Sequence, residues 1–305
     1  MRTLRLSVAG TVVLSMAGVL PLGVTAQTDP DDAASGAPGD VTLVEGLVYA
    51  TGSAPDEATE RKLDLYLAAE GGDAPMVVHV GGRGQTRGEA TPLARALTEH
   101  GVSVFVASHP DLWPDVQLYA DPTALRTMVE AVACAVRFAR GSEYGSETAP
   151  LVLAGFSRHG GTAAHVALAG ESFDRVWEEY HESGGGPPAQ YDCTASEAST
   201  HSDAFVGVAG AYDAFVGYES KYGRDHLLEH EPDLWETLWG TVGLHPELRV
   251  RLIHGDRDGT IPLGSSAAFE AVLAEAGYDA ELVEFEGGHS APGDLVFDAV
   301  MELVQ

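Results

Sequence analysis

Three side chains in this sequence have the types and the order that nucleophilic acyl transfer requires. Ser157 sits in Gly155-Phe156-Ser157-Arg158-His159-Gly160-Gly161. Asp258 sits in His254-Gly255-Asp256-Arg257-Asp258-Gly259-Thr260-Ile261-Pro262, and His289 follows Gly287-Gly288. A serine hydroxyl alone is a poor nucleophile. It needs a base to take its proton and an acid to hold that base in one tautomer. Any one of the 12 histidines could be accidental, but the order Ser, Asp, His with each at the end of a strand is harder to reach by chance. A fourth segment, Val78-His79-Val80-Gly81-Gly82-Arg83-Gly84, brings a glycine-rich backbone near the same edge. Its N–H groups could receive an oxyanion, with Gly82 or Arg83 as one donor and Arg158, the residue after the serine, as the other. A phosphate loop is the rival reading, and it fails because neither Gly-Lys-Ser/Thr nor GxGxxG spacing is present. Asp256 and Asp258 resemble a fragment of a calcium loop, but the further ligands and closing Glu are absent, so no metal is expected.

The elements that must hold these residues alternate along the chain. Apolar, β-branched runs at 41–50, 61–68, 76–81, 102–107, 150–155, 204–209, 249–254 and 280–285 predict eight strands. Helical spacing occupies 89–100, 122–140, 158–169, 265–276 and 292–304. Runs such as Val77-Val78-His79-Val80 and Leu151-Val152-Leu153 suit central parallel strands buried on both faces, whereas the alternation of 63–67 suits a strand near an edge with one wetter face. The expected architecture is an α/β fold, an eight-stranded and mostly parallel sheet covered by helices. Ser157, Asp258 and His289 then fall at strand carboxyl ends, where ligands bind in open α/β sheets. Two stretches break the alternation, about 171–203 and 212–246. They are expected to form either a small lid over that edge or surface insertions.

Composition narrows the function. The chain has 305 residues with 45% apolar and 21% charged, enough for one large domain. Arg2 and Arg5 precede an apolar run that breaks at Pro21 and closes on Val24-Thr25-Ala26, the layout of a cleaved signal peptide over 1–26. Residues 27–40 read as a flexible leader, leaving 41–305 as the domain. An uncleaved membrane anchor is the alternative, but Ser7, Thr11, Ser15 and Pro21 dilute the run. The expectation is therefore a secreted protein without a stable membrane anchor. Lys and Arg number 17 against 46 Asp and Glu, a net charge of −29. Such a surface repels nucleic acid and anionic membranes. It fits either adaptation to high salt or ordinary solubility. Two cysteines, Cys134 and Cys193, form an even count in an exported chain, and a disulfide between them is expected.

Taken together, the Leu63-Asp64-Leu65-Tyr66-Leu67 strand, the glycine loop, the serine turn, the His-Gly-x-x-Asp segment and the terminal histidine resemble the alpha/beta-hydrolase superfamily, within it the esterase/lipase branch. The likeness runs from about residue 41 to the C-terminus. It implies hydrolysis of carboxylic esters through an acyl-enzyme, on small-molecule or polymer-borne substrates, without metal or organic cofactor. Two positions depart from that pattern. His159 stands at the second glycine of GxSxG, although the run Gly-x-Ser-Arg-x-Gly is similar to the nucleophile segment of glucuronoyl esterases. Val80 stands where many members carry the histidine of HGGG. Two other readings stay open at this level. One is a serine peptidase of prolyl oligopeptidase type, which usually carries a propeller for which this chain has no room. The other is a hydrolase-fold binding protein without catalysis, motivated by His159.

Overall fold

A computed structural model describes residues 41–52, 60–82, 85–108, 122–183, 191–212, 229 and 232–305. The signal and leader regions (1–40), Arg83 and the run 184–188 lie outside the described residues. All eight expected strands are present: β1 Thr42–Gly52, β2 Glu60–Leu67, β3 Met76–Val80, β4 Ser103–Ala107, β5 Leu151–Phe156, β7 Ala204–Val208, β8 Arg249–Gly255 and β9 Asp279–Phe285. The sheet nevertheless has nine strands rather than eight, in the order β6-β1-β2-β4-β3-β5-β7-β8-β9. The extra strand is β6, Tyr191–Cys193, which pairs antiparallel with β1 from Ala50↔Cys193 to Gly52↔Tyr191. Three residues are too few to display a period, so only tertiary pairing marks them as a strand. β4, β3, β5, β7, β8 and β9 run parallel in that order, while β2 joins β4 antiparallel.

The parallel core reads as its sequence suggests, with Val77, Val78, Leu151, Val152 and Leu153 all buried. β2 keeps a wetter face only at Glu60 and Lys62, and within 63–67 the alternate positions Asp64 and Tyr66 are covered. Asp64 is buried, because its carboxylate accepts the Gly46 N–H at 2.9 Å and pairs with the Arg87 guanidinium at 2.7 Å. A buried carboxylate is tolerated when it is paired and hydrogen-bonded in this way.

Helices cover both faces. α1 (Thr91–Glu99) and α7 (Gly293–Leu303) bury Ala94, Leu97, Val296, Val300 and Leu303 against one side. α2 (Pro122–Gly141), α3 (Arg158–Ala169) and α6 (Leu263–Glu275) pack on the other. The first irregular stretch contains α4, Phe173–Glu182, whose Phe173, Trp177 and Tyr180 repeat at helical spacing and are buried. The Trp177 Nε1–H donates to the buried Glu130 of α2 at 2.9 Å. The second contains α5, Pro232–Trp239, which buries Leu234 and Leu238. Cys134 on α2 is bonded to Cys193 on β6 as expected, with their Cα atoms 5.0 Å apart. No helix among the described residues is long and apolar enough to cross a membrane.

Candidate active site

β5 ends at Phe156, α3 begins at Arg158, and Ser157 makes the turn between them with φ 56° and ψ −126°. A non-glycine residue in that region carries strain on the order of 1–3 kcal/mol unless its surroundings impose it. Here the surroundings do. The Ser157 N–H donates to the Val208 carbonyl at 2.8 Å, and its own carbonyl accepts the N–H groups of Gly160 at 2.9 Å and Ala211 at 3.0 Å. The side chain is thereby raised above the sheet edge at the start of a helix, where the backbone dipoles favour negative charge.

The other two expected residues meet it. His289 Nε2 lies 2.8 Å from Ser157 Oγ, and His289 Nδ1 lies 2.7 Å from Asp258 Oδ2. With its proton on Nδ1, the imidazole donates to the carboxylate and accepts from the serine hydroxyl. The other carboxylate oxygen of Asp258 accepts the backbone N–H groups of Thr260 at 2.7 Å and Ile261 at 3.0 Å. Burial alone would raise this carboxyl's pKa. The hydrogen bonds from His289, Thr260 and Ile261, with the charge of His289, outweigh it and hold the group below the ordinary carboxylate value. Asp256, the neighbouring acid, is spent elsewhere, since its Oδ1 accepts the Gly287 N–H at 3.0 Å.

The departure at position 159 has a structural answer. His159 is buried at 1% exposure, and the close approach falls to the glycines after it. A Cβ at Gly160 would lie 2.6 Å from the Gly210 Cα, and one at Gly161 would lie 2.0 Å from the Ala211 carbonyl oxygen. The helix therefore packs on the segment after β7 through 160 and 161.

The expected oxyanion residues are placed in part. Gly82 lies against Ser157, where an added Cβ would be 3.0 Å from the Ser157 Cβ and 2.7 Å from the Phe156 ring. Its N–H donates to Gln85 Oε1 at 2.8 Å, a partner that sequence reasoning did not anticipate. Arg158 is the first residue of α3.

His254 carries no role expected from the sequence. It is fully buried, with Nδ1 2.7 Å from Ser266 Oγ and Nε2 2.9 Å from the Ile261 carbonyl. Its position four residues before Asp258 was the available signal. The ring of Phe156 lies 5.0 Å from that of His289, and a cavity of about 220 Å³ opens beside Phe156 and Ser290.

The sequence matches no protein-family model and no curated protein sequence. Solved structures do match. A truncated carbohydrate esterase from gut microbiota is 19% identical, with a TM-score of 0.60 over 86% of this chain and 96% of that one. Esterase 2 of Thermogutta terrifontis, phosphoramylated by tabun, is 19% identical with a TM-score of 0.57 over 87% and 92%. An acetyl ester-xyloside bifunctional hydrolase of Caldicellulosiruptor lactoaceticus is 19% identical with a TM-score of 0.54 over 83% and 87%. At this identity the likeness is one of α/β fold.

Proposed function

We propose that this chain is an α/β-hydrolase-type serine esterase that cleaves carboxylic esters through an acyl-enzyme. The observation that carries the reading is the unbroken relay from Ser157 Oγ through His289 to Asp258, at 2.8 and 2.7 Å, built on a backbone-strained serine. The esterases named among the structural neighbours support the same reaction class.

In this mechanism Ser157 Oγ attacks the ester carbonyl carbon while its proton passes to His289 Nε2. The carbonyl π pair moves onto oxygen, and the oxyanion is received by backbone N–H groups, that of Arg158 and one from the glycine loop, either Gly82 or Arg83. When the tetrahedral adduct collapses, the C–O bond to the alcohol breaks and the alkoxide takes the proton from His289 Nε2. Water then attacks the acyl-serine, giving its proton to His289. The second collapse returns that proton to Ser157 and releases the carboxylic acid. Asp258 holds the imidazole in the required tautomer and stabilises the imidazolium.

Secretion belongs to the same proposal, and the Cys134–Cys193 bond supports it because disulfides persist in oxidising compartments. Treating the folded protein with a fluorophosphonate probe tests the activity. Labelling at Ser157 that disappears in Ser157→Ala is the expected result. A folded, unlabelled protein would overturn the esterase reading in favour of a binding protein, and a panel of esters against peptide amides separates esterase from peptidase.

A further inference from the structure

The glycine loop after β3 is built around a side chain. Gln85 folds back over Gly81 and Gly82. Its backbone N–H donates to the Gly82 carbonyl at 3.1 Å, and its Oε1 accepts the Gly82 N–H at 2.8 Å. A Cβ at Gly81 would lie only 3.1 Å from Oε1, so the two glycines form the seat into which the amide fits. With Oε1 committed, the amide keeps one unused function. Its Nε2 has no hydrogen-bond partner among the described residues.

Gln85 also lines the cavity of about 220 Å³, together with His79, Glu89, Leu93, Phe156 and Ser290. This volume lies below the roughly 300 Å³ at which pockets for drug-sized ligands begin, so it suits a compact group rather than a long chain. Its lining is divided. Phe156 and Leu93 offer apolar surface, while Glu89 and Ser290 are exposed and bear hydrogen-bonding oxygens. His79 leaves Nδ1 buried without a partner among the described residues, which is costly unless a ligand or water satisfies it. The cavity lies on the His289 side, because Phe156 packs on that imidazole and Ser290 follows it. The alcohol half of an ester must lie on that side, since His289 Nε2 protonates the leaving oxygen.

Resting on the esterase reading, we propose that Gln85 is a specificity-determining residue that reads the leaving alcohol. Its Nε2 donates to a hydroxyl of a small polyhydroxylated alcohol, with Glu89 accepting from another and Phe156 covering the carbon face. Oε1 stays on Gly82, which fixes the amide so that a donor, not an acceptor, is presented.

Glycerol monoacetate and propyl acetate share acyl group and carbon skeleton and differ in two hydroxyls. The ratio of their kcat/KM values therefore isolates alcohol recognition from effects on the chemistry. In Gln85→Glu the carboxylate can still accept the Gly82 N–H but has no donor. The ratio should fall about tenfold, the scale of one lost hydrogen bond in a site built to make it. Leu93→Trp, which fills the cavity and leaves the Gly82–Gln85 pair intact, should lower the ratio as well. A ratio unchanged in both variants, with wild-type labelling at Ser157 intact, overturns the role of Gln85 and leaves the esterase reading standing. An unlabelled wild type overturns both.

Discussion

His254 Nε2 lies 3.2 Å from Asp258 Oδ2, the same carboxylate oxygen that His289 Nδ1 approaches at 2.7 Å. The two imidazoles differ in burial, since the His254 side chain is fully covered while that of His289 is 23% exposed. The inner ring gives its Nε2–H to the Ile261 carbonyl at 2.9 Å and lies beneath the carboxylate, while the outer ring hydrogen-bonds it. Asp258→Asn would replace an acceptor that His289 needs by an amide able to favour the wrong tautomer. We expect Asp258→Asn to lower kcat by about 10⁴-fold, as Ser157→Ala and His289→Ala should, because the three act as one unit. Asp256→Asn keeps an acceptor for the Gly287 N–H and should change kcat by less than about tenfold. Steady-state kinetics on folded variants decide the matter. An Asp256 variant more damaged than the Asp258 one would reassign the acid.

Stability should fall in mild acid for a separate reason. Burial holds the His165 imidazole down to about 3 and that of His79 down to about 4, from an ordinary 6.5. Below 6.5 the unfolded chain takes up protons at these sites and the native chain does not. Their penalty is therefore absent above that pH and grows as pH falls toward 4. Denaturant unfolding between about pH 8 and pH 4.5 should show a plateau followed by a decline. His165→Gln, which keeps an N–H donor for the Leu238 carbonyl, should make the decline shallower. A free energy of unfolding flat across that window would contradict the burial argument.

The disulfide makes a third prediction. It joins positions 59 apart and ties α2 to β6, a three-residue strand at the sheet edge that also pairs with β1 and anchors Tyr191, buried and accepting the Arg61 Nε–H at 2.9 Å. Replacing both cysteines by alanine should cost about 2–4 kcal/mol, chiefly by releasing the unfolded chain. Because β6 lies at the far edge of the sheet from β5, which leads to Ser157, kcat should be retained. Unfolding curves with and without the bridge measure the first quantity. A stability loss below about 0.5 kcal/mol would mean that the edge is held by other contacts.

The meeting of Ser157, Asp258 and His289 is legible in the sequence because each follows a strand whose apolar run is plain: Leu151–Phe156, Arg249–Gly255 and Asp279–Phe285. Strand ends in a parallel sheet converge on one edge, so sequence order became spatial proximity. His254 escaped because a histidine at the end of a buried strand reads as core. Its contact with Asp258 depends on the turn through Asp256 and Arg257 curling back. Gln85 escaped because nothing in its type or spacing says that its amide folds onto Gly82. β6 and α4 escaped because one is too short for a period and the other lies in a stretch whose glycines and prolines dominate the local signal.

The last prediction concerns the glycine missing at 159. If the demand for close approach truly rests at 160 and 161, a side chain at 161 should do more harm than a glycine restored at 159. His159→Gly empties a buried imidazole site and weakens the helix, which should cost about 1–3 kcal/mol and alter ester turnover by less than about tenfold. Gly161→Ala sets a methyl 2.0 Å from the Ala211 carbonyl oxygen, so α3 or the segment after β7 must move. Ala211 is also the residue whose N–H donates to the Ser157 carbonyl at 3.0 Å. A displacement there loosens the contact that holds the serine in its strained conformation. We therefore expect Gly161→Ala to slow fluorophosphonate labelling of Ser157 more than His159→Gly does, with melting curves confirming that both variants are folded. If His159→Gly instead abolished labelling while Gly161→Ala reacted like wild type, the imidazole at 159, and not the glycines after it, would be what shapes the nucleophile turn.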